Sequence, residues 1–218
     1  MNAVNHWQGR SLAHRVIDMS KSDQTYSSFE TILDAVRREI SSHADSPILI
    51  GIDGAGGSGK STLAKNLSAT IGDVSLIHLD DFADWTDDSD WQLSTFTERA
   101  LKPLLAGISS KHRRYDWSTD TLGEWFEIPS AGVAIIEGVT ALRTDLRDYW
   151  KISIWVDCPR ELRLERGVAR DGEAIREKWV DEWMPGEDQY FSREKPWEST
   201  AFLFNGSGSE SSNLIPPV

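Results

Sequence analysis

A single cysteine, Cys158, is all the sequence holds, which excludes an intrachain disulfide and fits a reducing cytoplasm. Set between Asp157 and Pro159 at the end of an apolar run, it reads as a small core hydrophobe before a reactive thiol. Also lacking is any stretch near the ~20 consecutive apolar residues that cross a bilayer. The first 25 residues carry Arg10, His14, Arg15 and Asp18 in place of a continuous apolar block, so no signal peptide is expected. Positive charge is scarce as well: 23 Lys and Arg stand against 35 Asp and Glu, for a formal net charge of −12. A surface of that sign repels a polyphosphate backbone, so neither a nucleic-acid nor a membrane partner is expected. A small anionic ligand is still allowed wherever positive groups cluster locally.

What is present is 218 residues, 39% of them hydrophobic and 27% charged. That is enough for one α/β domain with a full core, or one domain plus a lid. Ser27 and Glu30 have capping-box spacing, and Phe29, Ile32, Leu33, Val36 and Ile40 follow at helical intervals to about Ser42. Short apolar runs at 48–53, 74–79, 132–136 and 152–156 read as buried parallel strands. Between them lie predicted helices at 60–70, about 91–105 with Gly107 as stop signal, and a charge-dense 160–182. A hairpin pairing 113–117 with 125–128 around Gly123 is expected, and a last short strand at 202–204. Residues 1–26 and 205–218 read as weakly ordered ends of a single domain over 27–204. Strands alternating with helices imply an α/β fold, a parallel sheet with helices on both faces and ligands at the carboxyl ends of its strands.

Gly54-Ala55-Gly56-Gly57-Ser58-Gly59-Lys60-Ser61 matches G-x-x-x-x-G-K-S/T between a predicted strand and a predicted helix. Glycines let the backbone curl so that its N–H groups face phosphate oxygens, and the following helix adds its positive end. Lys60 would reach the β- and γ-phosphates, Ser61 would bind Mg²⁺, and Thr62 would reach the α-phosphate. ATP and Mg²⁺ are the cofactors this predicts. Gly54, Gly56 and Gly59 also spell G-x-G-x-x-G, the dinucleotide fingerprint. That reading leaves Lys60-Ser61 without a role, and the only acid about 20 positions on is Asp73, before the second strand instead of at its end.

The P-loop together with Asp80-x-Phe82, Tyr115-Asp116-Trp117, Ile135-Ile136-Glu137-Gly138 and Arg163-x-x-Arg166-x-x-x-Arg170-Asp171 resembles the uridine kinase family. Phosphoribulokinase and bacterial pantothenate kinase are relatives in the same superfamily. The likeness spans about residues 48–171 and implies a P-loop fold with a helical lid at about 160–195. It implies that Asp80 is the catalytic base on an acceptor hydroxyl, with Asp81 where the family usually has Ser or Gly. A carboxylate beside the γ-phosphate suits that task and is preferred to the plainer reading, in which Asp80 or Asp81 orders Mg²⁺ water or caps a turn. Glu137 matches an acidic residue near the metal, and a helix-capping acid is the plainer alternative.

Arg163, Arg166 and Arg170, three and four apart, share one helical face. The resemblance implies that Arg163 faces the acceptor and Arg166 the phosphates as a catalytic group, with Arg170 among the nucleotide-binding residues. A solvated face paired with Glu161, Glu165 and Asp171 is the competing reading. By the same likeness Tyr115 and Trp117 hold the acceptor, though hairpin packing accounts for the same aromatics. Asp84 falls where the family places a ribose-hydroxyl ligand. The family's usual His after the Tyr-Asp-Phe segment is replaced by Ser118-Thr119-Asp120, and Trp179, Trp183, Pro185, Glu187 and Tyr190 depart from its lid. Three readings follow: a nucleoside kinase, a P-loop kinase of another small acceptor, or a nucleotide-binding module without acceptor.

Overall fold

The computed structural model describes residues 25–42, 47–83, 92–117, 119–130 and 132–208. Its centre is a parallel five-stranded sheet in the order β2-β5-β1-β6-β7. The strands are β1 (Ile48–Asp53), β2 (Val74–His78), β5 (Val133–Glu137), β6 (Ile152–Asp157) and β7 (Phe202–Asn205). Every residue of β1 and β5 is buried, as continuous apolar runs demand when both faces of a sheet are covered.

Alternation along β1 divides the core in two. Ile48, Ile50 and Ile52 join α1 (Phe29–Ser42) and α2 (Lys60–Ile71) on one face, through Ile32, Leu33, Val36, Leu63 and Leu67. Leu49 points to the other face, among Phe96, Ala100, Leu101 and Leu104. Gly51, also on β1, lies under the Trp150 indole, whose atoms come within 2.8 Å of where a Cβ would stand. Each buried aliphatic side chain contributes about 1.5–3 kcal/mol, so this three-layer stack holds the strand ends rigidly.

Several expected boundaries shift, each for a local reason. α1 is capped by Ser28, whose Oγ accepts the Thr31 N–H at 3.2 Å, and the Ser27–Glu30 box is not used. On the second face, α3 (Leu93–Phe96) passes through a π-wound turn, Thr97–Leu101, into α4 (Lys102–Leu105). Trp91 lies outside the described residues. Gly107 at φ +67° ends this stretch, as expected.

The hairpin is longer than predicted, β3 (Ser110–Asp116) with β4 (Thr121–Ile128), and Gly123 sits within a strand. The reversal falls near Asp120, at φ +57°, a conformation that aspartate tolerates better than most residues. The predicted helix 160–182 is broken: α5 (Arg160–Asp171) stops at Gly172, φ +96°. Two short turns, one of them α6 (Arg176–Lys178), and a π-wound Trp179–Trp183 then lead into α7 (Met184–Glu194). Asn205 belongs to β7, and the Gly206 N–H donates to the Asp157 carbonyl, so order continues past the expected end of the domain. Among the described residues no helix is long and apolar enough to cross a membrane.

Candidate active site

In-register parallel pairing sets the carboxyl ends of the central strands side by side. Ile52 stands opposite Glu137, His78 opposite Glu137 on the other side, and Asp53 opposite Trp155. The glycine-rich loop leaves β1 at this edge and enters α2 at Lys60. Gly57 takes φ +76°, and a Cβ there would lie 2.5 Å from the Arg163 carbonyl oxygen. Glycine is thus required both by the curl of the loop and by the approach of α5. Ala55 and Ser58 are buried, Ser58 with its Oγ unpartnered, while Thr62 on α2 is exposed. Lys60 is 7% exposed, and its charge acts on Asp53, Asp80, Glu137 and Glu187.

Asp80 lies in the 3-10 turn Leu79–Phe82, directly after β2. Phe82 explains the Asp-x-Phe pattern: it is fully buried, stacked on His112 at 4.5 Å, and anchors the turn. Asp80 keeps solvent access, yet the protein packed around it pushes its carboxyl above the usual aspartate range. Lys60, His78 and Arg170 pull the other way, and Glu137 adds to the rise. The unusual Asp81 is held by Arg114 of the hairpin at 3.0 Å.

Glu137 ends β5, is 4% exposed, and accepts hydrogen bonds through Oε1 from Ser61 Oγ at 3.0 Å and from His78. Burial pushes its carboxyl up, but His78, Lys60 and Ser61 outweigh that and hold it below the usual glutamate range. Its Oε2 is buried with no partner, which costs free energy unless a cation or water meets it. Among the described residues no group of three or more His, Cys, Asp or Glu has metal-binding geometry. The set fits Mg²⁺, which keeps most of its waters and takes one or two protein oxygens plus phosphates.

The three arginines singled out on α5 reach three different places, while Arg160 pairs with Asp188 at 2.9 Å. Arg163 is buried and pairs with Glu187 at 3.0 Å. Arg166 donates to the Gly206 and Ser207 carbonyls at 2.8 and 3.1 Å and lies 3.4 Å from the Gly57 carbonyl. Arg170 pairs with Asp171, stacks 5.8 Å over Trp179 and acts electrostatically on Asp80. Tyr115 is 6% exposed, with its hydroxyl on Asp120, and Trp117 packs edge-on against it at 5.1 Å. Asp84 lies outside the described residues.

Two residues join the site with little sequence signal. Asp53, fully buried, accepts from the Gly54, Thr140 and Leu142 N–H groups at 2.6, 3.2 and 2.9 Å and from Tyr190 Oη at 2.7 Å. Burial pushes its carboxyl up to about 6, against the Tyr190, Leu142 and Gly54 donors and the Lys60 charge, which pull it down. Glu187 Oε1 accepts the Gly56 N–H at 2.6 Å. Asp53 could have been suspected as an acid closing a fully apolar strand. Glu187 and Tyr190 are placed by a broken helix that no periodicity revealed.

A parallel sheet covered on both faces, with a phosphate loop after its central strand and a helical lid upon it, defines a P-loop kinase fold. A family profile described as an AAA domain matches residues 50–188. A uridine kinase from Clostridium novyi (strain NT) is 30% identical over 173 residues, covering 70% of this chain and 80% of that relative. The chain belongs to the uridine kinase family of P-loop kinases. Among solved structures, a possible uridine kinase from Bacillus stearothermophilus superposes with a TM-score of 0.57 at 21% identity, over 79% of this chain and 98% of that one. The D-glycerate 3-kinase from Cryptococcus neoformans superposes with a TM-score of 0.55 at 13% identity, over 82% and 95%. The last two likenesses concern the fold alone.

Proposed function

We propose that the chain is an ATP- and Mg²⁺-dependent kinase that transfers the γ-phosphate to a hydroxyl of a small acceptor, foremost a uridine- or cytidine-like nucleoside. The observation that carries the reading is the convergence at one sheet edge of a buried Lys60, Asp80 and Glu137, the lysine's charge acting on both carboxylates. A binding module would need the loop and an acid at the metal such as Glu137, but not a second carboxylate such as Asp80.

In this reading Lys60 and the loop N–H groups hold the β- and γ-phosphates in line with the acceptor. Asp80 takes the hydroxyl proton as the acceptor oxygen bonds to the γ-phosphorus and the bond to the β-phosphate oxygen breaks, releasing ADP. Its solvent access then lets that proton leave. Ser61 and Glu137 would hold Mg²⁺, which when bound neutralises charge on the phosphate oxygens. Arg170 adds positive charge on the Asp80 side, and Tyr115 and Trp117 border the acceptor side. A cytoplasmic location with no nucleic-acid or membrane partner is in keeping with the single cysteine and the net charge of −12.

The test is coupled ADP release with ATP or GTP and a panel of nucleosides, sugars, glycerate and pantothenate. Release stimulated by uridine or cytidine supports the reading. Stimulation only by another acceptor keeps the kinase and moves its substrate. Release indifferent to every acceptor overturns it in favour of a slow ATPase.

A further inference from the structure

The lid presents a negative charge to a loop shaped for phosphate. Glu187, on α7, is 9% exposed and uses both carboxylate oxygens: Oε1 accepts the Gly56 N–H at 2.6 Å, and Oε2 accepts from Arg163 Nη1 at 3.0 Å. Lys60, which the loop motif assigns to phosphate, also acts on this carboxylate. Arg163 is itself buried, and its Nε has no partner. It thus keeps a buried donor to spare beyond what Glu187 takes. Trp179 closes the top, its ring within 2.8 Å of where a Cβ would stand on Gly56.

A carboxylate on a loop N–H, beside a lysine and a buried arginine, has the surroundings a phosphate oxygen would have. Two anions cannot share them, because like charges at contact distance in a dry site repel strongly. We propose that Glu187 is an internal counter-anion that occupies the γ-phosphate side of the loop in the ligand-free protein. An arriving triphosphate displaces it, and Arg163 passes from Glu187 to the phosphate. The exchange explains why a buried arginine is left with an unused donor. It also couples donor binding to release of α7, since Glu187 and Tyr190 are both fastened to the β1–loop junction, at Gly56 and Asp53. The proposal rests on reading the loop as a triphosphate site.

Glu187→Gln removes the charge while keeping the side-chain volume. Binding of a fluorescent ATP analogue to the full chain should tighten about tenfold, because the competitor is gone and Arg163 awaits an anion. The ligand-free variant should melt lower, since Arg163 loses its buried partner, and ATP should raise its melting temperature more than it raises that of the unaltered protein. Independently of any variant, ATP should speed hydrogen exchange across 184–194 in the unaltered protein.

Unchanged or weaker binding by both Glu187→Gln and Glu187→Ala, while the unaltered protein binds ATP, overturns the counter-anion and leaves the kinase reading standing. Slower or unaltered exchange across 184–194 on ATP binding overturns the displacement. Absence of ATP binding by every form, each folded by circular dichroism, overturns the triphosphate site and the counter-anion with it.

Discussion

The phosphate loop and the lid above it are fastened by different physics. β1, from which the loop springs, is buried at every residue and paired with a parallel strand on each side. Its place is fixed by backbone ladders that are made or lost together. The lid, from α5 to α7, changes winding repeatedly. Beyond an apolar contact of Tyr190 and Phe191 with Ala55 and Trp155, it is tied down by single polar side chains: Arg166 on the 206–207 carbonyls, Arg163 on Glu187, Glu187 on the loop and Tyr190 on Asp53. Side-chain ties can be exchanged one at a time for ties to a ligand. A kinase needs both kinds, one to hold the phosphates at fixed positions and the other to admit and enclose them.

Removing charge from the rigid half should have the largest effect. Lys60→Ala is expected to lower kcat/KM for ATP by at least about a thousandfold, with the circular dichroism spectrum kept, because the sheet does not depend on the lysine. Titration calorimetry checks the cause: the folded variant should lose ATP affinity, and an unchanged affinity would remove Lys60 from the phosphate site. Asp80→Asn should come next, with kcat down roughly a hundredfold and ATP affinity nearly unchanged, since the proposed base acts on the acceptor hydroxyl and not on ATP. Near-normal turnover in that variant would refute its role as base.

Gly57→Ala strikes where the two halves touch. The residue sits at φ +76°, and the new methyl would meet the Arg163 carbonyl at 2.5 Å, backbone that cannot swing aside as a side chain would. A loss of about 1–3 kcal/mol is expected, read as a fall in melting temperature of roughly 2–4 °C for each kcal/mol in a chain of this size. A variant as stable as the parent would show that α5 yields freely, and the lid would then rest on the loop more loosely than its side-chain ties suggest.

The same division decides what could be read from residues alone. β1, the loop and α2 are contiguous, so their pattern declares both structure and ligand: an apolar run, a curl of glycines, then Lys60-Ser61. The places of Asp80 and Glu137 at the sheet edge were legible because one follows and the other closes a recognisable strand. The lid was not, because its function depends on where breaks fall. Gly172 and the π-wound Trp179–Trp183 turn a predicted single helix into pieces, and those pieces deliver Glu187 to Gly56 and Tyr190 to Asp53. The hairpin slipped for a related reason: Asp120 could take the turn conformation that Gly123 was expected to supply. Arg166 shows a further limit. Its spacing fits a phosphate ligand, yet its donors meet carbonyls of the 206–207 segment, a contact between distant parts of the chain.

The smallest expected effect tests whether the hairpin belongs with the fixed half or the exchangeable one. Arg114 holds Asp81 at 3.0 Å and lies 5.3 Å over the Phe126 ring, with more than half of its side chain exposed. An ion pair so open to water contributes little, so Arg114→Ala should cost no more than about 1 kcal/mol of stability. Asp81, however, is the neighbour of Asp80, and once released it adds a loose negative charge on the side proposed for the acceptor. The acceptor KM should therefore rise a few-fold while kcat and the KM for ATP stay put, a split that loss of packing alone would not produce. A matching fall in kcat would instead place Arg114 in the chemistry, and an unmoved acceptor KM would make the hairpin a cover for the core, with acceptor contacts arising elsewhere.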